Sequence, residues 1–315
     1  MVKKILAIDG GGMYGVVPLE VCLEIEKKIP QKLKNIFDLF VGTSTGALIC
    51  GAALRGLKGT EPLGMSAQEI IDVYLKRVNN IFGKDAKNRF NISIPILNLS
   101  KYPKYNPQGL ISVVNDVFGS GSFAQMEEAQ KLIISAYDVT KKKPHLFRSW
   151  GENSKTFIRD AVLASSSVPQ THPLYKIGDS YYTDGGVFAS NPAMYAYSEA
   201  RAKWGDEELV LVSLGTGVTK VDNQSTKPDD DLSWWLGNIF KIFLDGQEES
   251  THEALMQIAS NKANKLQYFR FNVDLEAKKV GDETNVEVLN KVRQLMKDEL
   301  TRRSAEFNRM IGTLS

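Results

Sequence analysis

Short apolar runs rich in branched side chains alternate along this chain with longer segments in which apolar positions return at helical spacing. The runs at residues 4–8, 37–41, 132–136, 209–214 and 268–271 read as strands. Helix starts are legible between them. Ser66-Ala67-Gln68-Glu69 is a capping box, in which Ser and Glu satisfy each other's orphan backbone donors. Asn106-Pro107 and Asn191-Pro192 each set a capping side chain before a proline at the first helical position. Strands alternating with helices predict an α/β fold: a mainly parallel central sheet covered by helices on both faces. No repeat and no Gly/Ser or Pro linker divides the chain. Residues 219–231 are polar and read as a mobile loop. Beyond Lys279 the sequence turns charged and helical. One domain is therefore expected over 1–279, with a helical C-terminal extension over 280–315 packed on it.

Composition narrows the function classes. The 315 residues carry 39 Lys plus Arg against 37 Asp plus Glu, a net charge of only +2. A nucleic-acid reader that neutralises phosphates needs a stronger basic bias. The one basic run, Lys141-Lys142-Lys143, precedes Pro144 and reads as a solvated turn. Cys22 and Cys50 cannot build a disulfide framework and read as reduced core thiols. The apolar run after Lys4 is too short for a secretory signal, and no stretch reaches the ~18 apolar residues of a membrane span. The expected location is cytoplasmic, with any membrane contact made peripherally.

Two motifs invite chemistry. Asp9-Gly10-Gly11-Gly12-Met13-Tyr14-Gly15 follows the first strand and opens a helix. Consecutive glycines let backbone N–H groups converge, and the helix dipole adds positive potential, which suits an oxyanion or a phosphate. The run also matches a dinucleotide fingerprint, but that reading needs an acidic residue at the end of the second strand. Asp38 lies before that strand's apolar core instead. The strand ends in Gly42-Thr43-Ser44-Thr45-Gly46, a G-x-S-x-G in the strand–turn–helix setting of a nucleophile elbow. The plainer alternative is a βα turn in which Ser44 bonds only backbone. Three histidines exist. His252 is the one in order for a Ser–acid–His triad, yet it sits in a hydrophilic patch and reads as a solvated helix residue. His145 lies in a strand and His172 follows Pro169, neither with an evident partner. An acidic base is the better candidate: Tyr181-Tyr182-Thr183-Asp184-Gly185-Gly186 sets Asp184 at the end of an extended run, although such a dipeptide is commonly a plain turn.

Taken together and in this order, the blocks resemble the patatin-like phospholipases, lipid acyl hydrolases with a Ser–Asp dyad. Asp9 to Gly15 resembles the family's oxyanion loop, Gly42 to Gly46 its elbow, and Asp184-Gly185-Gly186 its Asp-Gly-Gly motif. Ala164-Ser165-Ser166-Ser167-Val168-Pro169, Ser190-Asn191-Pro192-Ala193 and Ser213-Leu214-Gly215-Thr216-Gly217 are similar to further family blocks, and residues 136–139 with 144–147 to a strand pair. The likeness runs from about Lys3 to about Met256. It implies that Ser44 is the nucleophile, that Asp184 is the base and acid, and that Gly10, Gly11 and Gly12 hold the oxyanion. It also implies that no metal or organic cofactor takes part, and that phospholipid or another acyl lipid is the substrate. A free carboxylate is a poor base, so Asp184 is expected in an apolar pocket that raises its pKa. One departure stands out: Tyr14 occupies a position where the family usually carries Arg or Lys. Residues 232–244, with Trp234 and Trp235, read either as a core helix or as a flap or interfacial helix touching lipid. Residues 92–99 form a second apolar stretch open to the same two readings, and one of the two is expected to line the acyl pocket. A triad esterase using His252 and a nucleotide-binding regulatory module stand as the alternatives. A homo-oligomer or a small-molecule activator is compatible with the sequence.

Overall fold

The computed structural model describes residues 2–55, 64–82, 107–126, 129–169, 171–218, 232–275 and 286–315, without the side chains of 78–82 and 232–237. In chain order the elements are β1 (Val2–Ile8), α1 (Val16–Lys28), β2 (Leu39–Thr43), α2 (Thr45–Arg55), α3 (Ala67–Phe82), α4 (Pro107–Phe118), β3 (Lys131–Asp138), β4 (Lys143–Arg148), α5 (Ile158–Ser165), β5 (Tyr175–Ile177), β6 (Ser180–Asp184), α6 (Gly186–Ala189), α7 (Ala193–Trp204), β7 (Glu208–Leu214), α8 (Leu232–Ser260), β8 (Leu266–Phe271), α9 (Val286–Arg302) and α10 (Ser304–Leu314). The strands form one sheet in the order β5-β6-β3-β2-β1-β7-β8, with β4 also on β3. From β3 to β8 the pairings are parallel; β4, β5 and β6 pair antiparallel.

The central strands read as nearly continuous apolar runs because both faces are covered. In β1, Ile5 and Ala7 face a layer with Ala193, Ala196 and Ala200 of α7 and Leu255 of α8. Leu6 and Ile8 face the other layer, where α1, α2, α4, α5, α9 and α10 contribute the larger core. The helices after residue 280 belong to that core through Leu289, Val292, Met296 and Phe307. Arg293 donates to the buried Glu20 of α1 at 2.8 Å.

Several local signals appear where the sequence predicts them. Glu69 accepts the Ser66 N–H at 2.7 Å, and the Ser66 hydroxyl accepts the Glu69 N–H at 3.3 Å, closing the capping box of α3. The Asn191 side chain accepts the Ala193 N–H at 3.0 Å, but α7 begins at Ala193, so Pro192 takes the cap position and not the first helical position expected of it. Lys141 and Lys142 turn the β3–β4 hairpin, where the Asp138 carboxylate accepts the Lys141 N–H. Cys22 and Cys50 are buried free thiols. The 219–231 loop, Asn106 and the 92–99 surface lie outside the described residues. No helix among the described residues is long and apolar enough to cross a membrane.

Topology brings two distant motifs together. β4 occupies one edge of β3 over Ile133 to Asp138. The opposite edge is shared end to end by β2, whose Thr43 pairs with Ser135, and β6, whose Asp184 pairs with Ala136. The C-terminal ends of β2 and β6 therefore abut, although about 140 residues separate them in sequence.

Candidate active site

Ser44 is buried and holds φ at 55°, a left-handed conformation that a residue with a Cβ adopts only under constraint. The constraint is visible. A Cβ on Gly42 would overlap the backbone of Gly46, and one on Gly46 would overlap the Ile8 carbonyl. Only glycine lets the turn from β2 into α2 fold so tightly against the end of β1. The Ser44 carbonyl accepts N–H groups from Ala47 and Leu48 at the start of α2, so the residue sits at the positive end of that 11-residue helix. The Ser44 N–H donates to Ser165 Oγ at 2.8 Å.

Asp184 arrives on β6 and is equally buried. Its Oδ1 accepts the Gly186 N–H at 2.7 Å. Burial pushes its pKa up to about 7, against the lowering influence of the Gly186 N–H and the Ser44 hydroxyl. Ser44 thus lies near enough to influence the carboxyl, while Oδ2 has no hydrogen-bond partner. Ser167 braces this strand end: its carbonyl accepts the Asp184 N–H at 3.0 Å and the Thr183 hydroxyl at 2.7 Å. The small-residue block therefore has a structural task. Ser165 holds Ser44 and Ser167 holds Asp184. Gly185 lies against Ser135, where a Cβ would overlap the Ser135 hydroxyl.

The glycine loop lies alongside. The Gly10 N–H donates to the Ser190 carbonyl at 2.9 Å, and the Gly10 carbonyl accepts the Thr216 hydroxyl at 2.6 Å. Gly10 is thereby fixed to the scaffold, which narrows the expected three open donors to Gly11 and Gly12. Gly12 takes φ 58° and Gly11 has no room for a Cβ against Thr216. At the start of the loop, the buried Asp9 carboxylate accepts two bonds from Arg270 of β8, at 2.9 and 2.5 Å. Arg270 also donates to Ser213 at 2.8 Å. Tyr14, at the departure from the family pattern, is partly buried and packs on the core.

His252 stands apart from Ser44 and Asp184. His252 is half-buried and not simply solvated: it pairs with the Tyr268 hydroxyl at 3.2 Å. Tyr268 is on β8, three strands from β2, or about 14 Å at ordinary sheet spacing. His145 sits in β4 against Phe147 and Tyr182. Arg270 and Glu248 are the structural residues that sequence reasoning passed over. Arg270 was hidden inside a strand pattern, and its charge within an apolar run was the available signal. Glu248 was hidden in a polar helix segment. Among the described residues, no group of three His, Cys, Asp or Glu side chains is placed to hold a metal ion.

The family profile described as patatin-like phospholipase matches residues 6–197. Among the similar curated proteins, calcium-independent phospholipase A2-gamma of Homo sapiens is 28% identical over 287 residues, covering 85% of this chain and 34% of that protein. Patatin-like protein 2 of Arabidopsis thaliana is 28% identical over 70% of this chain and 61% of its own length. The cGAMP-activated phospholipase of Vibrio cholerae is 28% identical over 62% of this chain and 57% of its own length. This chain thus spans about a third of the human relative. The profile match covers well over half of the sequence and includes the glycine loop, the elbow and Asp184, so the chain belongs to the patatin-like phospholipase family.

Proposed function

We propose that this protein is a lipid acyl hydrolase of the phospholipase A type, with Ser44 as nucleophile and Asp184 as its base. The observation that carries this reading is the buried carboxyl of Asp184, pushed up to about 7, beside a serine held at positive φ on a helix N-terminus. A base works best when its pKa lies near the working pH. In the acylation step, Ser44 Oγ bonds to the ester carbonyl carbon while its proton passes to Asp184. The carbonyl π electrons move onto oxygen, where the N–H groups of Gly11 and Gly12 receive the oxyanion. Collapse breaks the bond to the lysolipid oxygen, which takes the proton from Asp184. A water then gives its proton to Asp184 and attacks the acyl carbon. The second collapse releases the fatty acid and returns a proton to Ser44.

The relatives named as phospholipases support a membrane lipid as substrate. Fatty-acid release from mixed phospholipid liposomes tests the reading, with a cGAMP arm because one relative is named for activation by it. Wild type is expected to release fatty acid and Ser44→Ala to lose roughly 10⁴-fold or more of that rate. A fluorophosphonate adduct should map to Ser44. Turnover surviving in Ser44→Ala, or silence of folded wild type in every arm, sinks the proposal.

The approach to lipid is assigned to α8. Leu244 packs near Gly186, and Gln247 donates to the Val187 carbonyl at 3.3 Å, so this helix rests on the segment that follows Asp184. Its outer side presents Ile239, Ile242 and Phe243, the last 59% exposed. An apolar ridge beside the site suits contact with a bilayer. The side chains of Trp234 and Trp235 lie outside the described residues. Ile242→Ser with Phe243→Ser is expected to lower liposome binding and liposome turnover about tenfold while sparing a soluble short-chain ester. Equal loss on both substrates refutes this role for the ridge.

A further inference from the structure

A cavity of about 510 Å³ opens between α8 and β8, and Glu248, His252, Tyr268 and Arg270 are among its lining residues. Glu248 reaches from α8 to the loop's support. Its Oε1 accepts the Ser190 hydroxyl at 2.7 Å, and its Oε2 lies 4.0 Å from the Arg270 guanidinium. The neighbouring Gln247 accepts the Ser190 N–H at 3.4 Å. Ser190 is buried, and its carbonyl is the acceptor that fixes the Gly10 N–H. The chain of contacts thus runs Glu248, Ser190, Gly10, and then directly into the two open donors at Gly11 and Gly12. The groups facing Glu248 are Asp9 on the loop, Arg270 on β8, and Asp245 on its own helix.

We propose that Glu248 is a positioning residue of the reaction: by gripping Ser190 it sets where the Gly11 and Gly12 donors stand relative to the Ser44 hydroxyl. This rests on the dyad reading given above. Donor placement matters most when charge develops on the carbonyl oxygen, so loosening the grip weakens the transition state more than the bound substrate. A glutamine at the position retains the carbonyl oxygen that accepts from Ser190; an alanine removes it.

The test uses a soluble ester at pH 8, where Glu248, pushed up to about 7 chiefly by burial, is ionised. The probe for the donors is an alkyl trifluoromethyl ketone, which becomes an oxyanion once the serine adds to it. Glu248→Ala is expected to lower kcat about tenfold with KM within twofold, and to weaken ketone inhibition about tenfold. Glu248→Gln should restore at least half of both. Ser190→Ala should match Glu248→Ala, and the double variant should be no worse than either alone, as for two members of one contact. Ser190→Ala carries the test if Glu248→Ala does not fold. Unchanged kcat and ketone affinity, loss that Gln fails to restore, or additive losses overturn the proposal. The two readings fail separately. Activity in Ser44→Ala overturns the dyad and this inference with it, whereas a silent Ser44→Ala beside an unaffected Glu248→Ala overturns the inference alone.

Discussion

Asp184→Asn is expected to lose activity and gain stability at the same time. The amide cannot take the serine proton, so kcat should fall roughly 10³-fold, within the range a positioned general base supplies. The stability effect follows from burial. In the unfolded chain the Asp184 carboxyl titrates at its ordinary 3.8, and in the fold at about 7. Between those values the folded state binds the extra proton. Stability associated with Asp184 is therefore complete below about 3.8 and is lost as pH rises through about 7. The full difference is on the order of 4 kcal/mol by linkage. Asparagine carries no such proton and removes the pH-dependent part. Urea melts at pH 5 and pH 8 check this. Wild type and variant should be much closer at pH 5, and the variant more stable by roughly 2–4 kcal/mol at pH 8. Over the same pH window the wild-type turnover should rise, because acylation needs the ionised carboxylate. A variant whose deficit or gain is the same at both pH values would show that Asp184 is not the strained group.

That coupling explains why a plain Asp-Gly pair in the sequence was ambiguous. The alternation at residues 181–184 shows a short extended run but not its neighbour. What makes Asp184 chemically unusual is its pairing opposite Ala136, at the point where Thr43 ends its pairing with Ser135. Hydrophobic pattern assigns faces to a strand, and long-range register is written in no local signal. For the same reason the parallel centre of the sheet was legible from its apolar runs, while β5 and β6 were not distinguished as antiparallel neighbours. The elbow was the most readable feature. Gly42 and Gly46 at fixed offsets around Ser44 state a steric requirement that the packing against Ile8 makes explicit. Which donors of the glycine loop stay open was not readable. That depends on Ser190, whose carbonyl engages Gly10 from 180 residues away. Glu248 was least legible of all, since a glutamate in a polar helix segment has no local mark of being buried.

The largest structural consequence is expected at the other end of the loop. Arg270→Met should destabilise the protein by about 3–5 kcal/mol, the usual cost of removing one partner of a buried ion pair. Burial pushes the Asp9 carboxyl upward in pKa and Arg270 opposes that push. Without the guanidinium, Asp9 must either remain as an unpaired buried charge or take up a proton. The loss should accordingly be greater at pH 8 than at pH 5. Asp9→Asn combined with Arg270→Met removes both charges, and it should recover more than half of the lost stability while the single variants do not. Equilibrium unfolding of the four proteins at the two pH values measures this cycle. Equal losses in the single and double variants would mean that the fork serves packing alone. The expected non-additivity would instead identify Asp9–Arg270 as the tie that anchors the start of the glycine loop to β8. A loop anchored at Asp9 and held at Gly10 by Ser190 leaves the adjoining Gly11 and Gly12 little freedom, and the proposed chemistry needs fixed donors there rather than flexible ones.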